Sequence, residues 1–367
     1  MKEAEEALVE DALADPATVS KLTFRKPSLM GRFLFYIEFV LKRIYNIYMK
    51  KTSFERIVGK VSESGKEKIL KSKEERFEDQ SFEELKDKER EKTPEELEII
   101  SLANKMTNEV RRSYGLEDFD IPAKNIHVIK KEKWWNDNNS AVYKPSLQGI
   151  CIEERLANVS FAKEVFHELI HFKSYEALHV VEGKERVLES YRSGLVMKTR
   201  DGKDIYFSSL NEGVTEELTK RYIKKNINEI SQNPIFIEEI EKTRKIINEH
   251  PDAKTNSGDK LFTDDVFYAE IIDISKDKNK VSIKTDGFTY QKERHLLSDL
   301  ISKLFEKNKE EFKNKDEIFN LFVKGMMTGN ILPIGKLIDS TFGVGTLRKI
   351  GEMKNDVDTQ QRFVDSL

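Results

Sequence analysis

The sequence predicts an α+β protein in which a small sheet and two ligand-bearing helices form the centre, with mainly helical extensions on both sides. Three observations carry this expectation. Short apolar runs at 125–129, 141–143 and 148–152, with Pro145 between the last two, read as strands. Segments around 158–172 and 210–218 repeat their chemically active residues every four positions, the spacing of one helix face. From Ile235 onward, apolar groups such as Leu296-Leu297, Leu300-Ile301 and Leu304-Phe305 recur at helical intervals.

Residues 1–20 read as a short acidic helix ending near Pro16. Glu3, Glu5, Glu6, Glu10, Asp11 and Asp15 give this segment the wrong charge for the start of a secretory signal. With a single cysteine, Cys151, no internal disulfide framework can form, and the expected location is cytoplasmic. The next thirty residues are basic. Glu38, Lys42, Asn46 and Lys50 recur every four residues as a narrow polar stripe, leaving a wide face rich in Phe and Tyr. Glu38, Lys42 and Arg43 interrupt the apolar run, which argues against a membrane span. Residues 29–51 suit three surfaces: this chain's own catalytic unit, an anionic membrane surface on which the protein would be peripheral, or a groove on a partner protein. Residues 1–59 therefore form an N-terminal region, and the charge-dense run 60–92 reads as a linker or a solvated helix.

A catalytic domain is expected over 93–230. It opens at Thr93-Pro94-Glu95-Glu96, which supplies an N-cap, a first-turn proline and a capping-box acid. Leu97, Ile100, Leu102 and Met106 continue the helix toward Tyr114 and Gly115. In the strands that follow, His127 alternates with apolar neighbours and reads as a strand-face histidine, and Cys151 as a buried strand residue. Trp134-Trp135 before 136–139 looks like an aromatic corner and a loop.

The next helix contains Phe166-His167-Glu168-Leu169-Ile170-His171-Phe172, with Asn158 or Ser160 as its cap. Histidines four apart lie about 40° apart around a helix, so both imidazoles face one way. They offer two neutral nitrogen ligands to a metal ion, and Glu168 beside them can serve as a base for an activated water. A third ligand belongs on a separate element. In Leu210-Asn211-Glu212-Gly213-Val214-Thr215-Glu216-Glu217, Glu212 and Glu216 share a helix face. One can bind the metal while the other accepts a hydrogen bond from a ligand histidine.

At these residues the chain resembles the gluzincin metallopeptidases, the group that includes thermolysin and the zinc aminopeptidases. The likeness rests on His167-Glu168-Leu169-Ile170-His171 and on Asn211-Glu212-Gly213-Val214-Thr215-Glu216, and covers roughly 93–225. It implies a zincin-like catalytic domain holding one Zn2+ per chain. By that resemblance His167, His171 and Glu212 would be the ligands, Glu168 the general base, and Glu216 the carboxylate behind a ligand histidine. An edge strand within 141–152 would hold an extended peptide by its backbone. The forty residues 172–211 between His171 and Glu212 exceed the spacing in the zinc aminopeptidases and imply an inserted element. The choice of Glu212 over Glu182, Glu185 or Glu189 rests on the second motif. Part of the insertion reads as a hairpin, with Asp201-Gly202 between β-type runs. The oxyanion donor expected of such an enzyme is Tyr222, ten residues past Glu212, with Tyr290 and His295 as other candidates.

Residues 231–367 are expected to be mostly helical, with 266–285 equally readable as helix or hairpin. None of the glycines from Gly325 to Gly345 forms a phosphate loop, because the required Lys and Ser/Thr are out of register. A net charge of −3, with no basic patch interleaved with aromatics near the histidines, argues against a nucleic-acid partner. The expected activity is zinc-dependent hydrolysis of a peptide or protein substrate. The alternative is a zinc-binding scaffold without turnover, associated with a membrane surface or a partner.

Overall fold

The helix α1 (Pro94–Ser113) starts where its local chemistry requires. Thr93 Oγ1 accepts the Glu96 N–H at 3.2 Å, and the Glu96 carboxylate accepts the Thr93 N–H at 2.9 Å, a reciprocal cap. The same carboxylate takes two hydrogen bonds from Arg90, at 2.7 and 2.9 Å. The structure, a computed structural model, describes residue 85 and residues 87–367 apart from 137–138, 145–148, 155–156, 182–186, 200–203, 256, 275–280 and 354–355. The N-terminal region 1–59, its amphipathic helix, and the charged run as far as residue 84 lie outside the described residues.

The end of the expected linker belongs to the folded unit. Glu89–Arg90 forms strand β1, and Leu85 is buried against Ile129 and Cys151. β1 continues a sheet with β2 (Ile126–Ile129), β3 (Ala141–Lys144) and β4 (Gly149–Glu153), in the order β1-β2-β4-β3. β2 and β4 run parallel, with Ile126 opposite Ile150, whereas β3 runs antiparallel to β4, with Ala141 opposite Ile152. The two central strands are buried nearly end to end, which is why they read as continuous apolar runs. His127 sits buried on β2, with its Nδ1 3.0 Å from Glu89 on β1. Burial pushes the Cys151 thiol up to about 11. β3 lies at the sheet edge, beside α2 (Asn158–Lys173).

The start of α2 differs from the expected cap. The residue before it is Ala157, which has no capping side chain. The free N–H groups of Asn158 and Val159 donate instead to Glu239, at 2.8 and 2.9 Å. The insertion after α2 is a second, antiparallel sheet: β5 (Glu176–Val181), β6 (Val187–Ser193), β7 (Val196–Lys198) and β8 (Ile205–Tyr206). β7 and β8 form the hairpin foreseen around Asp201-Gly202, whose turn lies outside the described residues.

The helices α3 (Ser208–Lys225), α4 (Ile227–Gln232) and α5 (Pro234–Glu249) follow. The ambiguous segment is a hairpin of β9 (Val266–Ile274) and β10 (Val281–Gly287). The chain then forms α6 (Gln291–Lys307), α7 (Lys315–Thr328), α8 (Leu332–Phe342), α9 (Thr346–Glu352) and α10 (Val357–Asp365). One continuous core runs from Ile99 to Val364. The helices expected in 231–367 share this core with the segment 93–230, and α6 lies directly against α3. Among the described residues, no helix is long and apolar enough to cross a membrane.

Candidate metal centre

α2 and α3 bring their two motifs face to face. His171 Nε2 lies 3.0 Å from His167 Nε2 and 3.2 Å from Glu212 Oε2, and His167 Nε2 lies 3.4 Å from the same oxygen. Three donors bonded tetrahedrally at zinc-like distances stand about 3.3 Å apart. The observed triangle has that size and donor type. Among the described residues, these three form the one cluster of His, Cys, Asp or Glu donors close enough to hold an ion. Of the other third-ligand candidates, Glu182 and Glu185 fall outside the described residues, and Glu189 lies on β6.

Behind the triangle is a buried charged network. Glu216 Oε2 lies 2.6 Å from His167 Nδ1, the orientation that turns Nε2 toward an ion. Glu216 is fully buried, and its other oxygen meets Lys163 Nζ at 3.0 Å and accepts the Thr289 N–H and hydroxyl. Burial opposes the charge on Glu216, but His167 and Lys163 outweigh it and hold the carboxyl well below the usual range. Burial likewise pushes Glu212 up, and His171 and His167 more than reverse it. Burial opposes the charge on Lys163, while Glu164 and Glu216 hold its ammonium charged. Burial opposes charge on His167, but Glu216 and Glu212 outweigh it and push the imidazole up to about 10, so Glu212 and Glu216 are balanced by a proton that a bound cation would displace.

Glu168 is held differently. It is buried, lines the cleft with His171 and Glu212, and its carboxyl is raised. Burial is the main cause, supported by Glu212 and Glu164, and the two histidines offset only part of it. A carboxyl moved toward neutrality is suited to taking and returning a proton.

Of the oxyanion candidates, the structure brings Tyr290 to the cleft and leaves Tyr222 and His295 away from it. The Tyr222 ring stacks on Phe166, 5.9 Å between centroids, about 15 Å further along α3 than Glu212. His295 is largely exposed and faces Asp299 at 3.2 Å. Tyr290 stacks on His167, 5.6 Å between centroids and 12° from parallel. Burial, then Glu212, Glu168 and Glu216, push its phenol up, so it remains an O–H donor. Its backbone is left-handed (φ 53°), a conformation that costs a non-glycine residue about 1–3 kcal/mol. The Thr289 contacts to Glu216 hold it there.

The glycine of the second motif permits this approach. A Cβ at Gly213 would stand 2.6 Å from the Glu293 carbonyl oxygen, so only glycine lets the start of α6 meet α3. Asn211 locks the inserted sheet to the same helix, since its Oδ1 accepts the Leu195 N–H at 2.9 Å. The reading from sequence missed Lys163 and Thr289. Lys163 stands four residues before His167 on the same helix face, a usable signal, whereas nothing local marks Thr289.

Compared with known proteins, the chain matches no family model, no curated relative and no solved structure.

Proposed function

We propose that this chain is a zinc-dependent metallopeptidase. The observation that carries the reading is the donor triangle of His167, His171 and Glu212 with Glu168 in the same cleft. A purely structural site needs four closed ligands and no adjacent base. Bound there, zinc supplies Lewis acidity toward water and a peptide carbonyl.

The chain's own residues do the rest. Glu216 fixes the His167 ring through Nδ1. Glu168 takes a proton from the attacking water on its carboxylate and delivers it to the leaving amine. The Tyr290 hydroxyl donates toward the carbonyl oxygen as negative charge develops there. β3 pairs only with β4 among the described residues, and Ala141, Val142 and Tyr143 line the cleft. Its outer edge suits an extended substrate added as a further strand, which selects polypeptide.

The test is metal content by elemental analysis together with digestion of an unstructured protein, with and without chelator. About one zinc per chain, lost in His167→Ala and Glu212→Ala, with chelator-sensitive hydrolysis, is the expected result. Bound zinc without hydrolysis would favour the scaffold reading.

A further inference from the structure

The cleft beside the metal centre has two unlike walls. It encloses about 200 Å³. One wall carries Glu168, Glu212 and Tyr290. The other is the inserted sheet, which contributes Arg192 and Lys198. The Glu212 carboxylate is engaged by both histidines.

Arg192 is held but not neutralised. Its Nε donates to the Gly194 carbonyl at 3.2 Å, and its guanidinium lies 4.9 Å over the Tyr175 ring. Its Nη2 is buried and has no hydrogen-bond partner among the described residues. The charged-state neighbours that act on it are Tyr175 and Tyr191, and neither is a carboxylate. Burial lowers its pKa, yet a guanidinium keeps its charge at any working pH. The side chain lines the cleft, and a desolvated cation with an unpartnered donor is costly unless an anion completes its charge.

Its position is also fixed relative to the metal ligands. The Gly194 N–H donates to the Tyr175 carbonyl at 2.7 Å, and Gly194 takes a left-handed φ of 57°. The next N–H, of Leu195, is held by Asn211, the residue before Glu212. Arg192, two residues before this turn, is thereby anchored to the ligand helix and not left on a free loop.

We propose that Arg192, with Lys198 at the cleft mouth, is the receptor for a substrate carboxylate, so that this site selects peptides bearing a carboxylate close to the bond that is cut. The proposal rests on the peptidase reading above. The carboxylate comes from an acidic side chain or from the free C-terminus of a short peptide. The guanidinium recognises either by charge-assisted hydrogen bonding.

The experiment uses the zinc-loaded full chain and two synthetic peptide pools that are identical except for Glu or Gln at set positions. Each pool is made with free and with amidated C-termini, and mass spectrometry identifies the bonds cut. The expected result is at least about tenfold higher kcat/KM for carboxylate-bearing peptides, expressed mainly in KM, at one constant distance from the cut bond. A preference for Glu over Gln that survives amidation identifies a side-chain acid, and a preference for free over amidated C-termini that is equal for Glu and Gln identifies the C-terminus. Arg192→Gln should remove the preference, and Arg192→Glu should turn it toward Lys-bearing peptides. Zinc content should not change in either variant, and both should unfold in a single cooperative transition. Equal cleavage of all four pools by the wild type, or a carboxylate preference retained in Arg192→Gln, overturns the proposal while the peptidase reading stands. No cleavage of any pool overturns both.

Discussion

α2 and α6 are nearly equal in length, 16 and 17 residues, and both turn one face into the same core, but they bury opposite kinds of side chain. α6 buries Leu296, Leu297, Leu300, Ile301 and Leu304, a single apolar stripe. α2 buries Phe161, Val165, Phe166, Leu169 and Ile170, and with them Lys163, Glu164, His167, Glu168 and Lys173. Removal of apolar area from water accounts for the first helix. It cannot account for the second, because each buried charge costs several kcal/mol unless paired. Four of the five have polar partners: Lys163 with Glu216 and Glu164, His167 with Glu216, Glu164 also with the Ser140 hydroxyl, and Lys173 with the Asn104 carbonyl and the Asn108 amide oxygen, while Glu168 is pushed toward its neutral form by burial. The difference teaches that α6 is built to stabilise, whereas α2 gives part of its interior to the charge arrangement on which the proposed function rests.

Four substitutions break or sharpen this contrast, ordered by size with each tenfold change equal to about 1.4 kcal/mol. Glu168→Gln on α2 should lower peptide hydrolysis by about 10³-fold or more and leave zinc content intact, as read by steady-state kinetics beside elemental analysis. Activity near wild type in that variant would remove Glu168 from the mechanism. Leu300→Ala on α6 should do the reverse, losing about 2–5 kcal/mol in denaturant unfolding while the folded fraction keeps its kcat. Tyr290→Phe, at the junction of α6 with the site, should lower kcat by about 10²–10³-fold with little change in KM or metal content. An unchanged kcat would leave Tyr290 only its stacking role against His167. Glu216→Gln should weaken zinc affinity by about 10–100-fold in a chelator competition, with some loss of stability because Lys163 loses a carboxylate. Unaltered affinity would mean that His167 needs no orienting partner.

The same contrast explains which parts could be read in advance. Helix periodicity is local, so the facing of His167 with His171, and of Glu212 with Glu216, follows from four-residue spacing. The α1 cap and the buried strands β2 and β4 were legible for the same reason. The β5–β6 hairpin was not, because its strands, EALHVV and VLESYRS, lack a clean alternation of apolar and polar residues. The 266–285 segment could not be decided locally. It becomes a hairpin where Ala269 N–H meets Thr243 Oγ1 at 3.1 Å on α5.

By itself, the sequence determined an α+β chain with a buried sheet, two helices presenting two histidines and two carboxylates, and a helical C-terminal region, because each of these depends on neighbours within one or two turns. Only the tertiary structure decided that Glu239 caps α2 from 80 residues away, that Thr289 and Tyr290 close on Glu216 and His167, and that Arg192 faces the cleft. It also decided that the C-terminal helices share one core with the site. The physical reason is range. Spacing along a helix dictates which side chains share a face, but which distant backbone comes to rest against that face depends on the packing of the whole core.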